Sequence, residues 1–196
     1  MSDLPPLPPR IACLPRTAQG WPIPYFVDRP ADGSIDFRVM HPQRMGMAIR
    51  KRLCWICGQS MGSYVAFVGG PLSIAQRQFS DPPAHRDCAE FALTVCPWLA
   101  TGTHRRLAGM PAHTFIPAQH VRDNPGVFGL LITKEYRFTG ITQAGEPREI
   151  RWYTAGRLAT RSEVEAAIEN ARRSDQVQGY RLRDQILALL DKLPLP

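Results

Sequence analysis

Lysine is nearly missing from this 196-residue chain: of its 24 basic residues only Lys51, Lys134 and Lys192 are lysine. The positive charge therefore sits on arginine, whose planar guanidinium suits phosphate and carboxylate recognition. Long apolar runs are missing as well. No stretch approaches the length needed to cross a bilayer, and no charged n-region followed by an apolar h-region opens the chain, so a soluble, cytoplasmic protein is expected. The common catalytic signatures are also lacking. There is no Gly-x-x-x-x-Gly-Lys-Ser/Thr loop, no Gly-x-Ser-x-Gly elbow and no His-Glu-x-x-His pair. The His-x-Glu that a zinc deaminase places ahead of its Cys-x-x-Cys is missing too. Residues 59 to 84 contain no histidine, which removes the base and the additional metal ligands that a nuclease built on a knuckle, hairpin and helix would carry.

Charge and composition are less decisive. The formal net charge is +7 and the pI near 9.5, which suggests an anionic partner. The charge is spread evenly, at +3 over residues 1 to 98 and +4 over residues 99 to 196, so no single basic block marks a nucleic-acid footprint. A hydrophobic content of 44% and a charged content of 21% are those of a globular protein.

The chain has five cysteines, and four chemistry-bearing residues fall into two matched pairs. Cys54-Trp55-Ile56-Cys57-Gly58 is a knuckle: two thiols face inward across a tight turn, and Gly58 can take the positive φ that turns the backbone away. His85 and Cys88, three apart, share one face of a helix. Three thiols and an imidazole are the donor set of a closed tetrahedral zinc site, and this grouping favours one structural Zn²⁺ over a disulfide framework. Ser80, Asp81, Pro82 and Pro83 supply helix-start chemistry just upstream. The branched and aromatic run Tyr64 to Val68, ending at Gly69-Gly70-Pro71 and followed by a more polar stretch to Phe79, reads as a hairpin. Knuckle, β-hairpin and helix in that order form a treble-clef-like module. Cys96 lies too far along the helix to ligate the same ion and is expected to be a buried thiol; Cys13 is expected to be a bystander.

Several segments resemble an uncharacterised family of bacterial and phage-borne proteins with a Cys-x-x-Cys-Gly…His-x-x-Cys module. They are Arg52 to Gly58, Pro82 to Glu90, Cys96-Pro97-Trp98-Leu99, Trp21 to Val27, Asp36 to Val39 and Gly156 to Arg161. The likeness covers most of residues 20 to 170. It implies zinc on Cys54, Cys57, His85 and Cys88, and it carries over no activity. The phage-borne association implies an interaction protein directed at a host or defence component.

Taken in order, residues 1 to 19 are proline-rich and expected to form an extended, flexible arm. Trp21 to Val27 and Ile35 to Met40 are expected to pair as an antiparallel hairpin around Ala31-Asp32-Gly33-Ser34. Gln43 to Leu53 suits a short amphipathic helix whose basic end, Arg50, Lys51 and Arg52, complements the helix dipole. The helix from His85 should bury Ala89, Ala92, Leu93 and Cys96 until Pro97 stops it. Residues 101 to 125 lack periodicity and read as a long irregular connection carrying His104, Arg105, Arg106, His113, His120 and Arg122. Strands over Val127 to Thr133, Tyr136 to Ile141 and Glu149 to Thr154 suggest an antiparallel meander. Thr160-Arg161-Ser162-Glu163 is a capping box opening a helix to about Arg173. A last amphipathic helix is expected over 180 to 192, with Leu182, Ile186, Leu189, Leu190 and Leu193 on one stripe.

The expected fold is α+β: a zinc module (52–99) and an antiparallel sheet within one domain (20–173), with two C-terminal helices, the second lying in 174–196. The expected function is a non-catalytic, zinc-stabilised interaction protein, with a protein as the first partner class. The alternatives are nucleic-acid binding through Arg50, Lys51, Arg52, Arg105, Arg106 and Arg157, and a metal-dependent nuclease using His104, His113 and His120.

Overall fold

The computed structural model describes residues 4–101 and 124–174, together with Ala188. The chain begins with a single helical turn, Pro9–Ala12 (α1), where the sequence suggested an extended flexible arm. Pro8 and Pro9 occupy the cap and first helical positions, where a missing amide costs nothing. Leu7, Ile11 and Leu14, spaced four and three apart, turn one face inward, and Ile11 is only 1% exposed. Beyond it the backbone doubles back, with the Ile23 amide donating to the Pro15 carbonyl at 2.7 Å.

The hairpin expected over residues 21 to 40 reduces to one antiparallel bridge, Val27 to Met40. Pro22, Pro24 and Pro30 deny the segment the amides that a ladder needs. Arg44 supplies donors in their place, giving two hydrogen bonds to the carbonyls of Tyr25 (2.6 Å) and Val27 (2.7 Å). Arg44 projects from Pro42–Lys51 (α2), the expected amphipathic helix, capped by the His41 side chain and closed by Arg52 in the left-handed region.

After the knuckle come Val65–Gly69 (β1), Pro71–Gln76 (α3), Gln78–Phe79 (β2) and Arg86–Val95 (α4). The hairpin expected between knuckle and helix does not form. Pro71 at N1 starts α3 where a return strand would run, and β1 finds its full five-residue partner much later in the chain. Among the described residues only Ala84 bridges to the other edge of β1, exchanging two 2.8 Å hydrogen bonds with Ala66. The cap of α4 is His85 rather than Ser80 or Asp81. Pro97 ends α4 as expected, and Pro97–Thr101 then forms one wide π-helical turn.

Phe128–Thr133 (β3), Tyr136–Phe138 (β4), Thr142–Ala144 (β5), Glu149–Thr154 (β6), Arg157–Leu158 (β7) and Arg161–Ser174 (α5) complete the described elements. They form two antiparallel sheets, ordered β1-β3-β6-β7 and β2-β5-β4, instead of one meander. β3 is buried at all six positions, as a strand covered on both faces must be. It therefore pairs with β6, which buries Ile150, Trp152 and Tyr153. β4 exposes Arg137 and Phe138 and lies at the edge of the second sheet.

Side-chain alternation divides the core between the two faces of the larger sheet. Val65, Phe67, Leu131, Ile150 and Trp152 pack against Val164, Ala167 and Ile168 of α5. Ala66, Leu130, Ile132 and Tyr153 pack against Ala89 and Leu93 of α4, together with Cys54, Cys57, Cys88 and Ile11. The expected capping box is present, with the Thr160 amide 2.8 Å from the Glu163 carboxylate and the Glu163 amide 3.4 Å from the Thr160 hydroxyl. The last expected helix lies outside the described residues except at Ala188, which is helical.

Candidate metal centre

The knuckle owes its shape to Gly58, whose φ of +75° turns the chain back under Cys54. The Gly58 amide donates to the Cys54 carbonyl at 2.8 Å, and a Cβ at this position would stand 2.6 Å from the ring of Tyr25. Leu53 and Ser60 bridge across the turn, and the Cys54 amide reaches the Gln59 carbonyl at 2.8 Å. Both sulfurs are thereby held inside the turn. The Trp55 amide donates to the Pro83 carbonyl at 3.0 Å, which docks the knuckle onto the start of α4.

His85 caps α4 and Cys88 lies in its first turn, so both side chains face the knuckle. The four ligand atoms of Cys54, Cys57, His85 and Cys88 all lie within 4.8 Å of one another, and all four residues are buried. His85 Nδ1 is 3.3 Å from Cys57 Sγ and 4.0 Å from Cys88 Sγ. Ligand atoms around a tetrahedral Zn²⁺ stand about 3.7 Å apart, given metal–sulfur bonds of about 2.3 Å, so the spacing fits one ion. The other ring nitrogen, Nε2, is 3.1 Å from the Ser60 carbonyl. A proton held on Nε2 by that carbonyl leaves Nδ1 as the free lone pair facing the sulfurs, the outer-shell arrangement that orients a ligating histidine.

The electrostatics suit a cation. Two backbone amides, of Cys57 at 3.4 Å and His85 at 3.3 Å, donate to Cys54 Sγ. Hydrogen bonds from the Cys57 and Cys88 thiols, reinforced by these amides, pull the Cys54 thiol down to about 2. The same contacts work against its neighbours. Bonding to the Cys54 thiolate, together with burial, pushes Cys57 up to about 11 and Cys88 up as well. Three thiolates this close repel one another unless a metal ion neutralises them, and a coordinating thiol is deprotonated outright. The N-terminus of α4 adds its partial positive charge from behind. Arg10, whose guanidinium pairs with Asp87 at 2.9 Å, stands beside this first turn of α4.

The four residues that the spacing singled out are thus brought together. Of the basic candidates, Arg50 and Lys51 are exposed at the end of α2, and Arg52 lies over the Tyr136 ring, 5.1 Å from its centroid. Arg157 does not stand free for an anion. Both of its terminal nitrogens are taken by Glu163, at 2.6 and 3.0 Å. His104, Arg105, Arg106, His113 and His120 lie outside the described residues. Cys96 is half-buried and apart from the cluster, and Cys13 is exposed. Two contributors escaped the sequence reading: the Ser60 carbonyl, since a backbone atom leaves no residue-type signal, and Ile11, whose Leu7/Ile11/Leu14 spacing was the available clue.

No family model, curated protein or solved structure matches this chain. Among the described residues no helix is long and apolar enough to cross a membrane.

Proposed function

We propose that the protein is a non-catalytic interaction module whose shape is held by one structural Zn²⁺ on Cys54, Cys57, His85 and Cys88. The observation that carries this reading is the convergence of four buried donors from two segments. Four protein ligands leave a tetrahedral ion no position for water or substrate, and closed sites of this kind contribute folding free energy rather than reactivity. Sulfur-rich coordination with one imidazole selects zinc over hard cations. In this reading the module is treble-clef-like. A knuckle facing the first turn of a helix supports it, with the single Ala66–Ala84 bridge standing where a hairpin would be. The resemblance to phage-borne proteins makes a host or defence macromolecule the partner class to test first.

The test is metal analysis followed by cobalt substitution. Purified protein is expected to carry about one zinc per chain, and Cys57→Ser to lose it. The cobalt form should show tetrahedral sulfur-rich absorption that azide or cyanide leaves unchanged. A spectrum that shifts with those anions would reveal an open coordination position and overturn the non-catalytic reading.

A further inference from the structure

A groove of about 350 Å³ opens beside the first turn of α4, lined by Tyr64, Val65, Arg86, Ile132, Arg148 and Glu149. Val65 and Ile132 lie behind it, almost fully buried at 1% and 7% exposed and turned into the two opposite cores. One wall is an ion-pair network. Arg86 donates to Glu90 at 3.0 Å and to Glu149 at 2.7 Å, and Arg151 joins both carboxylates. Two guanidiniums and two carboxylates cancel, so this wall is stiff and neutral. The other charges are not cancelled. Arg148 is exposed at the groove and its guanidinium has no partner among the described residues. Tyr64 is 45% exposed, with Lys134 standing over its ring at 5.4 Å from the centroid. Two residues past Lys134, Tyr136 carries Arg52, and Arg50 and Lys51 continue the same basic end of α2. Glu135 follows Lys134 in the chain and offsets its charge.

An exposed aromatic ring with an ammonium beside it and a free guanidinium at the same groove is the combination that takes a base and its phosphates. We infer that this groove binds single-stranded nucleic acid, seating one nucleotide with its base against Tyr64 and its phosphates on Arg148 and Lys134. The guanidinium matches a phosphate in bidentate fashion. The groove is of ligand-pocket size and too small for a duplex. An acidic peptide would use the cations and leave the ring without a role. This inference rests on the interaction reading and gives it a partner chemistry other than the protein expected first from sequence.

The experiment is fluorescence anisotropy of a labelled single-stranded oligonucleotide against full-length, zinc-loaded protein over a salt series. Binding should weaken as salt rises, each phosphate contact contributing about 0.7 to the log–log slope. Arg148→Ala and Lys134→Ala should each flatten the slope by about that amount. Tyr64→Ala should weaken binding by about tenfold or more at unchanged slope, and Tyr64→Phe should restore it, because stacking needs only the ring. Each variant should keep its zinc and its thermal midpoint. Three results would each overturn the inference: no binding at low salt by protein that holds its zinc, equal affinity for a duplex, or equal affinity for a polyglutamate peptide. Protein that lacks zinc altogether would instead overturn the metal reading beneath it.

Discussion

Gly58 and Gly129 are both crowded, for different reasons. At Gly58 the backbone is left-handed at φ +75° and a Cβ would meet the Tyr25 ring at 2.6 Å, so alanine would suffer both backbone strain and overlap. At Gly129, in β3, the backbone is unstrained, and a Cβ would meet Ile74 Cγ1 at 2.5 Å and the Trp152 ring at 3.2 Å. Overpacking of this kind costs about 1–3 kcal/mol, and a non-glycine residue at positive φ adds about 1 kcal/mol. Urea unfolding should therefore rank Gly58→Ala below Gly129→Ala in stability, and only Gly58→Ala should also weaken metal retention. At this scale the centre was legible. Two thiols two residues apart, and an imidazole and thiol likewise, are local patterns whose geometry follows from one turn and one helical face. The Ser60 carbonyl that orients His85 was not legible, because every residue carries a carbonyl.

Among the elements, the N-terminal turn departs most from its sequence reading. Ile11 lies in the same buried cluster as Cys54, Cys57 and Cys88, so Ile11→Ala should destabilise the protein by about 2–4 kcal/mol, the usual range for an emptied core site. Arg10→Ala should leave the unfolding midpoint nearly unchanged in the same denaturation experiment, since its pairing with Asp87 is solvent-screened. At the other end, the capping box at α5 was readable from Thr160 and Glu163 alone. Hydrogen bonds from Arg157 and from the Thr160 amide lower Glu163 from 4.5 to about 2. A carboxylate whose folded value is depressed contributes stability above its unfolded value and loses it as pH falls toward the folded one. The gap in thermal midpoint between wild type and Glu163→Gln should thus be full above pH 4.5 and close between there and about 2. A gap that stays constant down to pH 2 would mean that the Glu163 charge contributes nothing. Removing the cap itself, as Thr160→Ala, should cost about 1 kcal/mol at neutral pH.

At the scale of the whole molecule the larger sheet separates two cores, one closed by α5 and one closed by α4, the knuckle and the N-terminal turn. The four candidate ligands belong to the second. Chelation should lower the thermal midpoint, and hydrogen exchange should show Gly58 and the first turn of α4 losing protection before β3 and β6, whose ladder lies between the two cores. Simultaneous loss everywhere would mean that the ion staples the entire fold. The sequence by itself determined the four candidate ligands, the presence of α2, the start of α5, the stop at Pro97 and the cap at Thr160, because each is written within a few neighbouring residues. Only the tertiary structure decided that β1 pairs with β3, that β4 and β5 leave for a second sheet, that residues 9 to 12 coil onto the side of the four candidate ligands, and that Tyr64, with Lys134 over its ring, lines one groove with Arg148. The physical reason is one of range. A turn or a cap is settled by hydrogen bonds between near neighbours, whereas strand pairing is chosen by which distant surface buries the most apolar area, and hydrophobic alternation names the inward face of a strand without naming the strand beside it.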